Sequence, residues 1–467
     1  MTKEKIVKRN VSEFLNNEYK NYALSVIEER AIPSIIDGFK PTARKVMHGS
    51  LAGDLKSGKL QKLLVLTGDT FKHSLYAHGD GSLAGVATGL AQDFNDNLPP
   101  LFGEGQFGSL RAPVAGSPRY LYIKHSKYMD LIYKIDYDLL DFVFEEGQYV
   151  EPKNYLPIIP TVLTKQNVGV AVGYSMHNLS YNPLDIIDAC LDVISSRENA
   201  KQKIKTTIRP YIRGIKQSNW KYEQCADGNC HWVNYGEWKY NKTKDQMIIT
   251  DLPYDTTYED FEKLLCKLEE KETIKDWKNI STDGNIEYVI TFPKKYLDKK
   301  LKKGEDSLAL PNMFKLIKQV SDDLLWLLDE NCKLKYFNSN YEVVEYFVKY
   351  RLDKYTERKK RLVKVLEQRY KENCDLVKFI ELICNGKLVI RNRSKKDIKV
   401  DMDNFKLPMS LVSTVPFSKC TIEERDELLK QNEEIKKELD YIRATTEKQM
   451  YINDLNNLRK ELEKEFK

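Results

Sequence analysis

The hydrophobic and polar positions near the start of the chain follow helical spacing. Residues 12–29 are typical of an amphipathic helix, with Ser12 as a suitable N-cap. The stretch DGFKPTARKVMHGSL (37–51) predicts a turn and then a second helix, because Pro41 is tolerated in a first helical turn. A short pair of helices that presents basic residues is a common way to engage duplex DNA.

The middle of the chain, from about residue 156 to 335, changes to the pattern of strands. Short β-branched and aromatic runs alternate there with turn residues, and the clearest predicted strands lie in 168–174, 246–257 and 284–292. Residues 220–240 are rich in tryptophan and tyrosine, which favours a hairpin whose rings pack across two strands.

The last third returns to helical periodicity, now with seven-residue spacing. Apolar residues repeat in this way in two segments, 343–383 and 421–462, which about 40 less regular residues separate. The repeating positions are Val348, Tyr355 and Leu362, then Leu428, Ile435 and Ile442, then Leu455 and Leu462. The pattern predicts two antiparallel helices closed by a small globular tip at 384–420, with a change of phase between Ile442 and Leu455.

Composition changes this picture only modestly. A chain of 467 residues with 41% hydrophobic and 31% charged residues is long enough for about three domains. The eight cysteines follow no regular framework, the apolar runs are too short to cross a bilayer, and the N-terminus lacks a secretion signal, so we expect a cytoplasmic protein without membrane contact. A net charge of +6 is not evidence of nucleic-acid binding, but Lys40, Arg44 and Lys45 form a local basic cluster.

The candidate chemistry lies at Arg119-Tyr120, within GEGQFGSLRAPVAGSPRYLYIKHS (103–126). A phenol has a pKa of about 10, so a tyrosine attacks phosphorus at neutral pH only where positive charge stabilises its anion. An adjacent guanidinium provides such charge and binds phosphate oxygens. The glycines of this segment would let its backbone pass close to a sugar-phosphate strand. Tyr122 is an alternative nucleophile, because residues two apart on an extended strand face the same side.

Four sequence blocks resemble, in order and spacing, the breakage-reunion region of type IIA DNA topoisomerases. They are RAIPSIIDGFKPTAR (30–44), HGD (78–80), GEGQFGS (103–109) and Arg119-Tyr120. The looser likeness runs to the C-terminus and is strongest to the medium subunit of T-even bacteriophage enzymes, with gyrase A and eukaryotic topoisomerase II more distant. The resemblance implies that Tyr120 is the nucleophile, that Arg119 stabilises the pentacovalent phosphate and that His78 hydrogen-bonds near the scissile phosphate.

The same resemblance implies a set of DNA contacts. Arg30, Lys40, Arg44 and Lys45 match residues that contact the DNA backbone, and Val170 stands where family members carry an isoleucine that wedges between base pairs. The alternative for Val170 is a core residue in an apolar run. The chain departs from gyrase A at two places where gyrase A has a histidine. One is just before His78, where this chain has Tyr76-Ala77, and the other is at Ala43. Any role of those two histidines is therefore absent in this chain or relocated.

The fold implied is multidomain α+β. It comprises an N-terminal arm that contacts a partner subunit (1–24), a winged-helix breakage domain (25–155), an α/β tower domain (156–335) and a long antiparallel coiled-coil arm with a small dimerising gate (336–467). The expected partners are double-stranded DNA and a second copy of the chain at the gate. No room remains beyond the arm for a DNA-wrapping domain, so we expect relaxation or decatenation rather than active supercoiling.

Metal and nucleotide ligands are expected on another polypeptide. The family binds Mg²⁺ through a glutamate and a D-x-D pair on a separate Toprim domain, and the one match in this chain, Asp401-Met402-Asp403, is predicted to be a solvated loop. No ATP-binding glycine loop occurs. The resemblance therefore implies a large partner subunit with ATPase and Toprim domains that binds both Mg²⁺ and ATP.

Two other classes of protein remain open at this point. One is a non-catalytic winged-helix and coiled-coil protein that binds DNA architecturally. The other is a tyrosine recombinase or type IB enzyme, which needs several scattered arginines and attaches to a 3′ end, whereas this arrangement implies a 5′-phosphotyrosyl link.

Overall fold

The computed structural model describes residues 10–53, 55, 58–195, 208–224, 230–282, 285–297, 308–320 and 325–466. The chain divides into two compact units, the first comprising residues 1–348 with 455–467 and the second comprising residues 349–454. Within the described ranges, no helix combines the length and the apolar character needed to cross a membrane.

The α-helices follow one another along the chain in this order: α1 (Val11–Phe14), α2 (Lys20–Val26), α3 (Pro41–Ala52), α4 (Leu63–Ser74), α5 (Asp80–Gly89), α6 (Pro183–Ile194), α7 (Tyr258–Glu270), α8 (Ala309–Met313), α9 (Asn340–Cys384), α10 (Lys395–Asn404), α11 (Ser410–Thr414), α12 (Ile422–Ala444) and α13 (Glu447–Phe466).

The strands, again in chain order, are β1 (Gln61–Lys62), β2 (Leu101–Glu104), β3 (Tyr122–His125), β4 (Phe142–Glu145), β5 (Gln148–Pro152), β6 (Asn167–Val170), β7 (Ser175–Asn178), β8 (Trp220–Gln224), β9 (Cys230–Tyr235), β10 (Glu237–Asn241), β11 (Gln246–Asp251), β12 (Asp276–Asn279), β13 (Tyr288–Thr291), β14 (Ile317–Val320), β15 (Leu325–Leu328) and β16 (Leu334–Phe337).

The N-terminal helix is longer than its sequence pattern predicts. Two π-helical turns, Leu15–Tyr19 and Ile27–Ala31, join α1 and α2 into one helical stretch that ends at Ala31. Its N-cap is Asn10, whose side chain accepts a hydrogen bond from the Ser12 amide at 3.1 Å, so the assignment of the cap to Ser12 was wrong by two residues. An asparagine oxygen placed two residues upstream meets that amide equally well.

A winged helix follows this stretch. The helices α3, α4 and α5 pack on one another and carry the antiparallel sheet β1-β3-β2. The predicted first turn of α3 is confirmed, with Pro41 at its start. This part of the chain has side chains that are almost completely buried: Ile35, Ile36, Val46, Leu66, Leu83, Leu101 and Ile123.

The strand-rich middle contains a four-stranded antiparallel sheet of order β10-β11-β13-β12, and α7 contributes to its core. A second sheet has the order β14-β9-β8. There Tyr222 lies opposite Trp232 with ring centroids 5.2 Å apart, which confirms the predicted cross-strand packing. The expected mixture of helix and sheet is thus present.

The second unit contains an antiparallel pair of helical segments from α9 and α12. Leu366 packs with Leu439 and Ile442, whereas Val377 and Ile380 further along α9 pack with the earlier residue Leu428. Residue numbers therefore rise along one segment as they fall along the other. Thr445 has extended backbone angles between α12 and α13, which explains the predicted change of heptad phase.

A small separate core lies between these two helical segments. It is built from Phe379, Leu388, Ile398, Met402 and Leu407. Because α9 ends at Cys384, the tip begins one residue later than predicted, at 385. Most of these side chains come from within 385–420, so the segment is a packed tip rather than an extended connection.

Candidate functional site

Tyr120 lies on the wing, in the connection between β2 and β3. Residues Pro118–Tyr120 form a single 3₁₀ turn, in which the Tyr120 amide donates to the Ser117 carbonyl at 3.0 Å. The next residue, Leu121, is buried, and its carbonyl accepts from the Leu63 amide at the start of α4 at 2.9 Å. This anchor fixes the turn while Tyr120 stays 71% exposed and Arg119 is exposed beside it.

Tyr122 lies in a different local structure from Tyr120. It is the first residue of β3 and pairs with Glu104 of β2, and its side chain is only 39% exposed. Tyr120 belongs to the 3₁₀ turn and not to an extended strand, so the condition under which the two tyrosines would face the same side is not met. The structure therefore separates the two candidates where sequence spacing leaves them equivalent.

The glycines of the wing shape the wing itself. A Cβ on Gly103 would lie 2.5 Å from the ring of Phe107, and one on Gly108, whose φ is +84°, would lie 2.7 Å from the Pro113 carbonyl oxygen. Both positions thus require glycine for the chain's own packing. The expected role in approaching a sugar-phosphate strand is not needed to explain these two residues.

Arg111, which the sequence patterns do not single out, ties the wing to the four-stranded sheet region. Its guanidinium is buried and donates to the carbonyls of Pro253 and Thr256 and to the Asp251 carboxylate, at 2.6, 3.1 and 3.2 Å. Burial lowers the pKa of Arg111, and the Asp251 carboxylate opposes that shift. A lone arginine between two apolar residues gave no sequence signal, because its partners lie about 140 residues away.

His78 lies in the link between α4 and α5, one residue before the N-cap Gly79. Its side chain is exposed, and its ring meets the edge of Tyr76 at a centroid distance of 5.5 Å. Tyr76 is buried and packs in turn on Phe71 at 5.5 Å. Tyr76 is therefore a core side chain against which the ring of His78 packs.

Arg44 has a partner that the sequence patterns do not reveal. Its Nε donates to Asp37 at 2.8 Å, a terminal nitrogen donates to the other Asp37 oxygen at 3.1 Å, and its side chain is 12% exposed. Burial by itself would lower the pKa of Arg44, but the Asp37 carboxylate raises it above the usual value. The fully buried Asp37 also accepts from the amides of Phe39 and Tyr155, both at 3.0 Å. This bidentate pair holds the turn that begins α3.

Lys45 and Lys40 are likewise engaged by the protein. Lys45 Nζ donates to the carbonyl of Ser74, the last residue of α4, at 2.8 Å and pairs with Glu151 at 2.6 Å. Lys40 Nζ donates to the Val168 carbonyl at 3.0 Å, and burial lowers the pKa of Lys40. Of the four predicted backbone contacts, Arg30 is the one that is exposed, whereas Lys40, Arg44 and Lys45 are half-buried.

Val170 lies at the end of β6 and is 76% exposed. The alternative that it is a core residue was wrong, because the strand turns its other face inward. On that inner face a Cβ at Gly169 would lie 2.4 Å from the Ala31 carbonyl oxygen, so the hairpin packs against the residue next to Arg30. The structure thus places the hairpin of Val170 against the chain at Ala31, with Lys40 bound to the Val168 carbonyl.

Residues 401–403 are not the solvated loop that their sequence predicts. They lie in α10, Met402 belongs to the core of the tip, and the Asp401 carboxylate pairs with Arg393. Buried apolar positions spaced along the segment favour a helix, and the adjacent aspartates obscured this pattern. Among the described residues, no group of three or more histidine, cysteine, aspartate or glutamate side chains could hold a metal ion.

An exposed Arg-Tyr pair on the wing of a winged helix, an exposed apolar hairpin near basic residues and a long antiparallel helical arm together define the class of breakage-reunion proteins. The chain belongs to the family of DNA gyrase and topoisomerase IV A subunits, whose profile matches residues 30–459.

Similar proteins include both eukaryotic and phage members. The mitochondrial DNA topoisomerase 2 of Dictyostelium discoideum is 30% identical over 97% of this chain, which spans 35% of that relative's length. The DNA topoisomerase medium subunit of Enterobacteria phage T4 is 27% identical over 97% of this chain and 99% of its own length. Among solved structures, the DNA-binding, cleavage and re-ligation domain of Plasmodium falciparum topoisomerase II superimposes with a TM-score of 0.84 at 27% identity, covering 97% of this chain and 64% of that one.

Proposed function

We propose that this chain is the DNA breakage-reunion subunit of an ATP-dependent type II DNA topoisomerase. It makes a transient double-strand break through 5′-phosphotyrosyl links, lets a second duplex pass and reseals the break. The observation that carries this proposal is the exposed Arg119-Tyr120 pair on an anchored turn of the wing, in a chain of this family.

In the proposed step, Tyr120 Oη attacks the phosphorus of a phosphodiester. The new O–P bond forms as the bond from phosphorus to the 3′ oxygen breaks, so the phosphate stays joined to the 5′ side. The phenol loses a proton and the departing 3′ oxygen gains one, which leaves the step neutral in protons. Phenolate leaves readily, so the 3′ hydroxyl attacks back and reseals the strand without external energy.

The neighbouring residues act by position and charge. Arg119 stabilises the negative charge that develops on the phosphate oxygens, in the manner of a preorganised donor. His78, whose ring packs against Tyr76, donates a hydrogen bond near the scissile phosphate. Arg30 contacts the DNA backbone, and Val170 inserts at a base-pair step, which favours a bent duplex. Arg44 and Lys45 stabilise the fold that positions the other residues, because their charged groups are paired with Asp37 and Glu151.

The proposed assembly contains two copies of this chain and a large partner subunit. Two strands need two tyrosines, which a two-fold dimer closed at the tip 385–420 provides. The exposed apolar side chains of the N-terminal helix, among them Phe14, Tyr19 and Tyr22, form a contact for the partner. That partner carries the ATPase and Toprim domains and binds ATP and Mg²⁺. Relaxation and decatenation are the expected activity, in the cytoplasm, which is that of the host if a phage encodes the chain.

Trapping the covalent complex tests this proposal. The chain, reconstituted with a Toprim-bearing partner, Mg²⁺ and end-labelled duplex, is quenched with denaturant, and the protein-linked DNA end is mapped. We expect a 5′ link that Tyr120→Phe abolishes and Tyr122→Phe retains. Noncovalent DNA binding should survive in both variants, because each loses only a hydroxyl.

The competing classes give different results in the same experiment. A 3′ link would identify a type IB or recombinase chemistry. Tight DNA binding with no covalent complex under any condition would identify an architectural protein. Efficient Mg²⁺-dependent cleavage by the rigorously purified chain alone would contradict the proposed division between subunits.

A further inference from the structure

The strand β6 has one open and one closed face. Val168 and Val170 share the open face and are 60% and 76% exposed, whereas Gly169 between them packs against the Ala31 carbonyl. Met176 of β7, the register partner of Gly169, is buried on the closed side. The strand therefore presents two valines outward rather than one.

Three contacts fix the position of this face. Lys40 Nζ donates to the carbonyl of Val168 itself at 3.0 Å. Gly169 allows the close approach to Ala31, where any larger residue would push the strand away. At the tip of the hairpin, the ring of Tyr174 meets Trp326 of β15 with centroids 4.9 Å apart. The Lys40 contact lies at Val168, the Ala31 contact on the closed face and the Trp326 contact at the tip of the hairpin. Together they hold the backbone so that the outer side chains have one fixed position.

Spacing and surroundings indicate which molecule covers the two valines. Residues two apart on a strand are separated by roughly 6.6 Å, about twice the 3.4 Å rise between base pairs. When Val170 inserts at one step, Val168 is therefore placed to meet the sugar and base edges about two base pairs further along. Lys40 binds the Val168 carbonyl, and the exposed Arg30 precedes Ala31, which contacts Gly169, so basic residues lie next to the hairpin in a way that suits the charge of a duplex.

We propose that Val168 is a second apolar DNA contact that shares the wedge with Val170, and that Lys40 positions both through the strand backbone. This inference rests on the proposed function. It also accounts for the shorter valine at the wedge position, because the apolar surface of Val168, two residues earlier, makes up for the methylene that valine lacks relative to isoleucine.

The test compares isosteric variants of exposed valines in the full chain. Val168→Thr, Val170→Thr and the control Val365→Thr, an exposed valine of α9 outside the tip, are titrated onto a duplex carrying a dye at each end. Affinity and bending are read from anisotropy and energy transfer over a range of salt concentrations. Threonine keeps the shape and the strand preference of valine but replaces one methyl group with a hydroxyl.

We expect Val168→Thr and Val170→Thr each to lower the affinity for the bent duplex by roughly three- to tenfold, while Val365→Thr matches wild type. The dependence of affinity on salt should stay unchanged, because every phosphate contact is retained. Lys40→Met should reduce bending with the same unchanged salt dependence, whereas removal of a phosphate contact would lower the slope by about one.

Normal bending by Val168→Thr beside impaired bending by Val170→Thr would overturn this inference and leave the proposed function standing. A wild-type chain that binds the duplex without bending it would also overturn it. The covalent-complex assay on the same proteins separates the two claims, since absence of the tyrosyl link in wild type would reject the cleavage function whatever the bending result.

Discussion

Replacing Arg44 by glutamine is expected to destabilise the first unit without removing a DNA contact. The substitution leaves the fully buried Asp37 carboxylate without its bidentate partner. Removing one member of a buried ion pair costs about 3–5 kcal/mol. Asp37 keeps its two backbone donors at 3.0 Å, so we expect the lower part of that range, about 3 kcal/mol.

The measurement has two parts, urea unfolding and the salt dependence of DNA binding. Arg44→Gln should lower the free energy of unfolding but keep the wild-type slope of log affinity against log salt, because the guanidinium is directed at Asp37. Asp37→Asn/Arg44→Gln should be less destabilised than the sum of the two single variants, as expected for residues in direct contact.

A matched control uses a bidentate pair at the surface. Arg209 donates to Asp185 through two nitrogens at 3.1 and 3.2 Å, but its side chain is 58% exposed. Arg209→Gln should change stability by less than about 1 kcal/mol. The reasoning would be refuted by an Arg44→Gln chain with wild-type stability and a salt slope lower by about one, since that pair of results describes a phosphate contact.

Two further predictions concern the tip and the buried histidines. Replacing residues 385–420 by a short glycine-serine linker should weaken dimerisation in sedimentation analysis and impair relaxation while DNA binding survives, and normal dimers with full relaxation would show that the tip is no gate. Burial lowers the pKa of both His48 and His125 from 6.5 to about 4, so the folded state holds them neutral while the unfolded state takes up protons below pH 6.5. The stability that these two neutral histidines contribute is therefore present above about pH 6.5 and lost as the pH falls towards 4. The difference in unfolding free energy between wild type and His48→Gln/His125→Gln should shrink over that interval. A difference that stays constant would contradict the lowered pKa values of the two histidines.

Local sequence determined much of the secondary structure and singled out the Arg119-Tyr120 pair as the candidate for the chemistry. Pro41 marks the start of a helix because its fixed φ suits a first turn, and the seven-residue repeats specify the helices of the arm. Such signals act between residues a few positions apart, so they are visible in the chain itself. The prediction for residues 401–403 was wrong because two aspartates outweighed the periodic buried positions around them.

Tertiary structure decided which charged and apolar side chains remain available to a ligand. Arg44 and Lys45 are indistinguishable from free basic residues in the sequence. In the structure, Arg44 forms an ion pair with Asp37 and Lys45 forms one with Glu151, which lies more than 100 positions away in the chain. Val170 is exposed although it lies in an apolar run, because Gly169 lets the opposite face of its strand close on the N-terminal helix. Burial and ion pairing depend on contacts between segments that are distant in the chain and meet only when the protein folds. The local spacing of residues therefore cannot predict them.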